Sequence, residues 1–259
     1  MRFRSALFPC LLYFITTPAF AEDPSTDVLE PPAFEKFLVI PLRIHILSAT
    51  NLPEIDCHLT DPDIMRILGK VNPIWHAAGI HWGLESIVRE AAARQDDFRE
   101  KSKTAAPSNL NRYRILLPEP SRKFDGLHVY YLHKFSVNGV WLGGDYTLVQ
   151  ETAKLREVVG GSDEPIPRVT SHELGHALGL PHRQDTTNLL ASGTTGTKLN
   201  TKEVETAREA AKRIRGTKNV PDLKDEAEKT EDKSRASQIQ GWLSEIPSMR
   251  KQETRAGKP

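Results

Sequence analysis

His172-Glu173-Leu174-Gly175-His176-Ala177-Leu178-Gly179-Leu180-Pro181-His182 reads HExxHxxGxxH, and this spacing constrains both the local fold and the chemistry it can carry. Two histidines four apart lie on one face of a helix with Cβ atoms about 5 to 6 Å apart, so His172 and His176 can aim both imidazoles at one ion. Gly179 can take a positive φ, ending the helix and turning the chain so that His182 arrives from outside it as a third ligand. Three neutral imidazoles leave a divalent ion's charge intact and one coordination position open, the arrangement of a catalytic and not a closed structural zinc site. Glu173, beside His172, is free to act as general base on a water activated by that ion. With 9 histidines and 16 glycines among 259 residues, the five fixed positions arise by chance with a frequency of about 10⁻⁵ to 10⁻⁴. Coincidence is therefore set aside, and the reaction expected of such a centre is hydrolysis of a peptide bond.

The chain on either side organises around this helix. Pro165-Ile166-Pro167 opens it, and it is read over about 168–178. Far upstream, FLVIPLRIHIL (37–47) is rich in aliphatic and β-branched residues and from Leu42 alternates with Arg43 and His45, the pattern of a strand with one wetter face. Thr60-Asp61-Pro62-Asp63 caps a long helix with Ile64, Ile67, Leu68, Val71, Trp75 and Ala78 facing inward; Pro73 predicts a kink or split at Asn72, and Gly79 a left-handed stop. Strands are read over 80–88, 113–117 and 126–135, with a charged, alanine-rich excursion at 89–112. Tyr146 to Val149 reads equally as an edge strand beside the site or as a core strand. After a loop over 183–199, Asn200 and Glu203 form a capping pair for a last helix to about Arg215, stopped by Gly216.

His172, Glu173, His176, Gly179 and His182 match all five defining positions of the metzincin clan of zinc endopeptidases, which the sequence resembles over about residues 37–216. The resemblance implies an α+β fold. Its parts would be a twisted mixed sheet with an antiparallel edge strand, a long first helix, a zinc-binding active-site helix and a small C-terminal subdomain. It further implies one catalytic Zn²⁺ on His172, His176 and His182, Glu173 as the catalytic base, and a peptide or protein substrate added as a strand to the sheet edge. One departure stands out. The clan's methionine in a tight turn beneath the metal is missing from Thr187-Asn188-Leu189-Leu190-Ala191-Ser192-Gly193, where Leu190 is the candidate for that floor. Leucine is a near volume match for methionine, a swap usually costing under about 1.5 kcal/mol. No cysteine-containing propeptide is seen before the first strand, so a matrixin-type latency switch is not expected. A zinc-stabilised relative that binds peptides without cutting them would keep the same three histidines and is the alternative.

Composition bounds the remaining possibilities. With 38% hydrophobic and 27% charged residues the chain can bury a core, and 35 basic against 34 acidic side chains give no field for nucleic acid. Arg2 and Arg4 before the apolar run Ala6–Ile15, with Ala19-Phe20-Ala21 as a small-x-small cleavage site, read 1–21 as a signal peptide and the protein as exported, to an extracellular or periplasmic space. No later run is long and apolar enough to be a transmembrane segment. Cys10 would leave with the signal, so Cys57 would be buried and inert, reactive, or paired with another chain. Residues 22–36 are polar and proline-rich, an extended linker or an arm lying on the fold. Residues 217–259 read as a charged, disordered tail with one weak helix around Trp242, and 239–249 as a short docking segment at most.

His45, His58, His76, His81, His128 and His133 lack ligand spacing and read as polar-face or hydrogen-bonded histidines and not as ligands of a second metal. Asp125, Asp145, Asp163 and Glu164 lie near glycines in loops where calcium could bind, yet no Asp-x-Asp-x-Asp-Gly pattern supports it and solvated turns are the default. Gly-x-Ser-x-Gly, phosphate-loop, dinucleotide-glycine and CxxC patterns are all missing, which removes the common rival chemistries.

Overall fold

The aliphatic run at the start of the ordered chain forms β1 (Leu38–Ser48), the strand against which the sheet is assembled. The computed structural model describes residues 29–106 and 108–256, with side chains as far as 247; residues 1–21, read above as a signal peptide, residues 22–28, residue 107 and residues 257–259 lie outside the described residues. β1 pairs in parallel with β2 (Ile80–Ala91) on one side and β3 (Leu127–Leu132) on the other. β3 pairs in parallel with β5 (Tyr146–Gln150), and the short β4 (Gly139–Trp141) closes the sheet antiparallel to β5, giving the order β2-β1-β3-β5-β4. The fold is mixed α+β with an antiparallel edge strand. Tyr146 to Val149 is a fully buried core strand, so the edge lies one strand further out, at β4.

One face of β1 sends Ile40, Leu42, Ile44 and Ile46 into the main core, against α1 (Asp61–His76), α3 (Pro165–Ala177) and α4 (Thr201–Ala211). α1 begins with a capping box in which Thr60 accepts from the Asp63 amide and Asp63 accepts from the Thr60 amide, a device worth about 1 kcal/mol. α1 runs unbroken through Pro73 and does not split at Asn72. The proline falls in the last turn, where it forfeits one backbone bond. The Asn72 side chain then ties the helix to β2, donating to Trp82 O at 3.2 Å and accepting from Trp82 N at 2.8 Å.

The other face of β1, read as the wetter one, is covered. Its polar groups satisfy one another: His45 bonds Glu90 at 2.7 Å and His128 at 2.9 Å and stacks on Tyr130 with ring centroids 4.0 Å apart. The cover comes from residues 92–124, partly helical as α2 (Gln95–Thr104). Tyr113 to Leu117, expected as a strand, instead lie in and just after a 3₁₀ helix over Leu110–Leu116 that buries Tyr113 and Leu116 against Phe98 and Phe135. An apolar alternation too short to distinguish strand from helix accounts for the difference.

Residues 217–256, expected as disordered, are folded. β6 (Lys218–Asn219) pairs with the start of β1, and α5 (Val220–Lys229) and α6 (Lys233–Ala256) follow. Val220, Leu223, Ile239, Trp242, Leu243 and Ile246 pack on Phe37 and Val39 in a separate apolar cluster. Between Lys218 and Glu245 the charged side chains are exposed or half-buried, and averaging charge over 201–259, with 14 basic and 11 acidic residues, hides an i, i+3, i+4, i+7 stripe at 239, 242, 243 and 246. Trp242 lies flat over Gly83, where a Cβ would come within 2.7 Å of the indole, and donates to Leu84 O at 3.0 Å. The end of the proline-rich stretch lies on the fold, with Lys36 O held by Arg208. Among the described residues no helix is long and apolar enough to cross a membrane.

Trp242→Ala is expected to lower stability by about 3 to 5 kcal/mol, read as a fall in the denaturant midpoint. An unchanged midpoint would place α6 outside the cooperative unit.

Candidate metal centre

α3 carries the motif, and its sequence explains its limits. Pro165 occupies the first helical turn, where its missing amide costs nothing, and Pro167 to Gly175 are buried without interruption. The end is set by Gly179, at φ +81: Gly179 N donates to His176 O at 2.9 Å and Leu180 N to Gly175 O at 3.0 Å. This left-handed stop satisfies the last carbonyls and turns the chain back, so that His182 faces the helix from outside.

The three imidazoles converge. His176 Nε2 lies 3.1 Å from His172 Nε2 and 3.1 Å from His182 Nε2, with neighbouring rings close to perpendicular. The proton positions follow from the other ring nitrogens: His172 Nδ1 is 2.8 Å from Leu189 O, and His176 Nδ1 is 2.8 Å from Leu180 O. A carbonyl only accepts, so His176 carries its proton on Nδ1; His172 Nδ1 also lies 3.2 Å from Arg168 Nη1, which only donates, but the shorter contact to Leu189 O favours the same tautomer, in which the two Nε2 atoms face each other as lone pairs. That arrangement is repulsive unless a cation lies between them. Zinc–nitrogen bonds of about 2.0–2.1 Å in tetrahedral array require nearly this spacing, so the donor set fits a zinc-class ion. Burial, followed by the Arg168 charge, pushes His172 down to about 3, and burial also lowers His176, so neither ring takes up a second proton near neutrality.

Glu173 points from the same helix toward the sheet edge. Its carboxylate accepts from the Trp141 amide, and a Cβ on Gly139 would come within 2.7 Å of it, so residue 139 can carry no side chain. Burial pushes the carboxyl up to about 8, opposed by the Trp141 amide and the Arg168 charge. The triad and Glu173 line a cleft of about 610 Å³ walled by Gly139, Val140 and Trp141 of β4 on one side and by Ser192 and Gly193 on the other.

Two supporting residues escaped the sequence reading. Arg168, one turn before His172 and 1% exposed, donates to Gly196 O at 3.1 Å and to Ala191 O, holding the loop beyond the helix against it. Glu203, expected only as a capping residue, is also buried and accepts from Arg183 at 2.6 Å, Asn188 at 2.9 Å and the Asn200 amide at 2.9 Å. It thereby fixes the segment that starts at His182. Leu190 is fully buried under α3, its Cδ1 3.2 Å from where a Gly175 Cβ would be.

The remaining candidates sort by partner. His45 and His128 belong to the buried network beneath the sheet, whereas His58 and His133 meet at Glu151, an association invisible in their spacing. Asp163 pairs with Lys70, Glu164 with Arg66 and Lys70, and Asp125 with Arg215, so these carboxylates are matched by cations of the chain.

No family model matches the chain, and no curated protein sequence matches it. Among solved structures it is similar to a chaperone–substrate complex, at 13% identity and a TM-score of 0.40, over 69% of this chain and 34% of that one. The chain thus spans about a third of that relative's length. It is also similar to archaemetzincin from Methanopyrus kandleri, at 15% identity and a TM-score of 0.43, over 67% of this chain and 96% of that one. Both likenesses are remote, and the reading of the site rests on its own geometry.

Leu190→Met conserves volume and should change stability by less than about 1.5 kcal/mol, whereas Leu190→Ala opens a cavity under α3 and should cost about 2 to 5 kcal/mol. Thermal unfolding of both variants checks this; an alanine variant as stable as the parent would remove Leu190 from the floor of the site.

Proposed function

We propose that the chain is an exported zinc metallopeptidase, with His172, His176 and His182 as ligands and Glu173 as general base. The observation that carries this is the convergence of the Nε2 atoms of His172, His176 and His182, 3.1 Å apart about His176, beside a buried carboxylate in an open cleft. Export is supported by the charged and apolar pattern of residues 1–21.

A zinc ion held there would supply Lewis acidity toward a carbonyl oxygen and lower the pKa of a water toward about 7. The chain's own residues do the rest. Glu173 takes the proton of the attacking water and returns it to the leaving amine, which requires a carboxylate that is close to the triad but is not itself a ligand. Leu180 O and Leu189 O keep both imidazoles in the tautomer that presents Nε2. β4, the last strand of the sheet, borders the cleft and has one backbone edge without a strand neighbour among the described residues, and this edge suits an extended peptide bound by main-chain hydrogen bonds. Leu190 serves as the apolar floor in the place where a methionine would be expected.

Glu173→Gln should keep the parent's zinc content and lose peptidase activity by at least about 10²-fold, measured as turnover of an unbiased peptide library alongside elemental analysis. Cleavage at the parental rate would refute the assigned role. No turnover by the parent, with zinc retained, would instead favour a peptide-binding protein.

A further inference from the structure

Outside the cleft, His58, His133 and Glu151 bring three potential ligand atoms within 4.8 Å of one another. They come from three separate segments: the connection between β1 and α1, the residue after β3, and the residue after β5. Glu151 Oε1 lies 2.5 Å from His133 Nδ1 and 2.9 Å from His58 Nδ1, and the two rings are perpendicular with centroids 5.3 Å apart. The carboxylate's other oxygen is already engaged, accepting from the His58 amide at 2.8 Å and from the Cys57 thiol at 3.3 Å. Cys57 is thus a donor that orients Glu151, and burial keeps it protonated by pushing its pKa well above the ordinary thiol range. Oε1 is left facing the two imidazoles.

The backbone around this cluster is equally fixed. Lys134 N donates to Glu54 O at 2.7 Å, Glu151 N to Leu132 O at 2.9 Å, Cys57 N to Leu47 O at 2.9 Å, and the Thr152 hydroxyl to His133 O at 3.1 Å. Two imidazoles and one carboxylate on a pre-positioned frame are a known donor set for zinc and for other divalent transition ions.

We propose that His58, His133 and Glu151 form a second divalent metal site, of zinc class, which clamps the β1–α1 connection to the outer ends of β3 and β5. Without metal, each imidazole donates its Nδ1 proton to Glu151. To ligate, each moves that proton to Nε2 and presents the Nδ1 lone pair, while Oε1 turns from acceptor to ligand. His58 is 67% exposed, so the remaining coordination position faces water. The chain past His133 leads into β4 and the chain past Glu151 leads to Leu155, and both border the cleft. An ion here would stiffen the two connections that carry the cleft's outer wall.

The site is independent of the peptidase reading, and zinc stoichiometry separates them. After equilibrium dialysis against zinc, the parent chain should hold two ions, His58→Ala one, His182→Ala one, and the double variant none. The exposure of His58 makes its substitution safe for folding. A parent with a single ion that is kept in His58→Ala and lost in His182→Ala overturns the proposal, as does a parent with two ions whose count does not fall in His58→Ala. A single ion lost in His58→Ala and kept in His182→Ala supports it while refuting the cleft centre. A second readout is the thermal midpoint in the His182→Ala background, which should rise with added zinc by mass action. Adding His58→Ala should abolish that rise, and a rise unaffected by it would overturn the second site.

Discussion

Two backbone carbonyls, those of Leu180 and Leu189, lie 2.8 Å from Nδ1 of His176 and His172, and much of the molecule serves to keep them there. A neutral imidazole has one proton and one lone pair, so fixing the first aims the second. Leu180 O is placed by the Gly179 reversal at the end of α3. Leu189 O is placed by the following loop, which Arg168 grips from the helix and Glu203 grips from α4. The buried Arg168 illustrates the electrostatic balance. Its guanidinium donates to the carbonyl oxygens of Gly196 and Ala191 and lies 3.2 Å from His172 Nδ1; burial lowers its pKa to about 10, opposed by the Glu173 charge, without neutralising it. Its charge discourages a second proton on His172, and that keeps a lone pair available.

The sheet contributes position more than chemistry. β5 is buried on both faces, so it provides a rigid base on which the three-residue β4 is carried beside α3. The approach is close enough that glycine is required at residue 139, because Glu173 occupies the space of a side chain. The C-terminal helices lie over Phe37 and Val39, on the opposite side from the main core, and cover a sheet surface that would otherwise be apolar and exposed.

The convergence of the three histidines was legible in the sequence because they are local: the helical period, a glycine with positive φ and a two-residue approach bring them together without long-range information. Helices with caps were legible for the same reason, as Thr60 with Asp63 and Asn200 with Glu203 show. What was not legible depends on distant partners. Tyr146–Val149, which reads equally as an edge or a core strand, is the core strand and β4 the edge; strand order is a tertiary property, and a short strand carries the same pattern at either place. The tail was misread because charge averaged over a window concealed a narrow apolar stripe whose complement lies at Phe37 and Val39. Histidines 58 and 133 stand 93 and 18 residues from Glu151, so no spacing rule could join them.

Both histidine clusters nonetheless obey one topological rule. In an open sheet with parallel strands, groups following the strands' carboxyl ends collect at one rim, where ligands bind. β1 leads to Cys57 and His58, β3 to His133, and β5 first to Glu151 and then to α3 with the triad. The two differ in how their ligands are supported. His172 and His176 stand on a buried helix one turn apart, so their geometry survives local loop motion. His58, His133 and Glu151 stand on three connections whose relative positions rest on a few backbone bonds and one shared carboxylate. The same rim of one sheet thus carries a histidine triad built on a helix and its following turn, and a cluster of two histidines and a carboxylate built on loops.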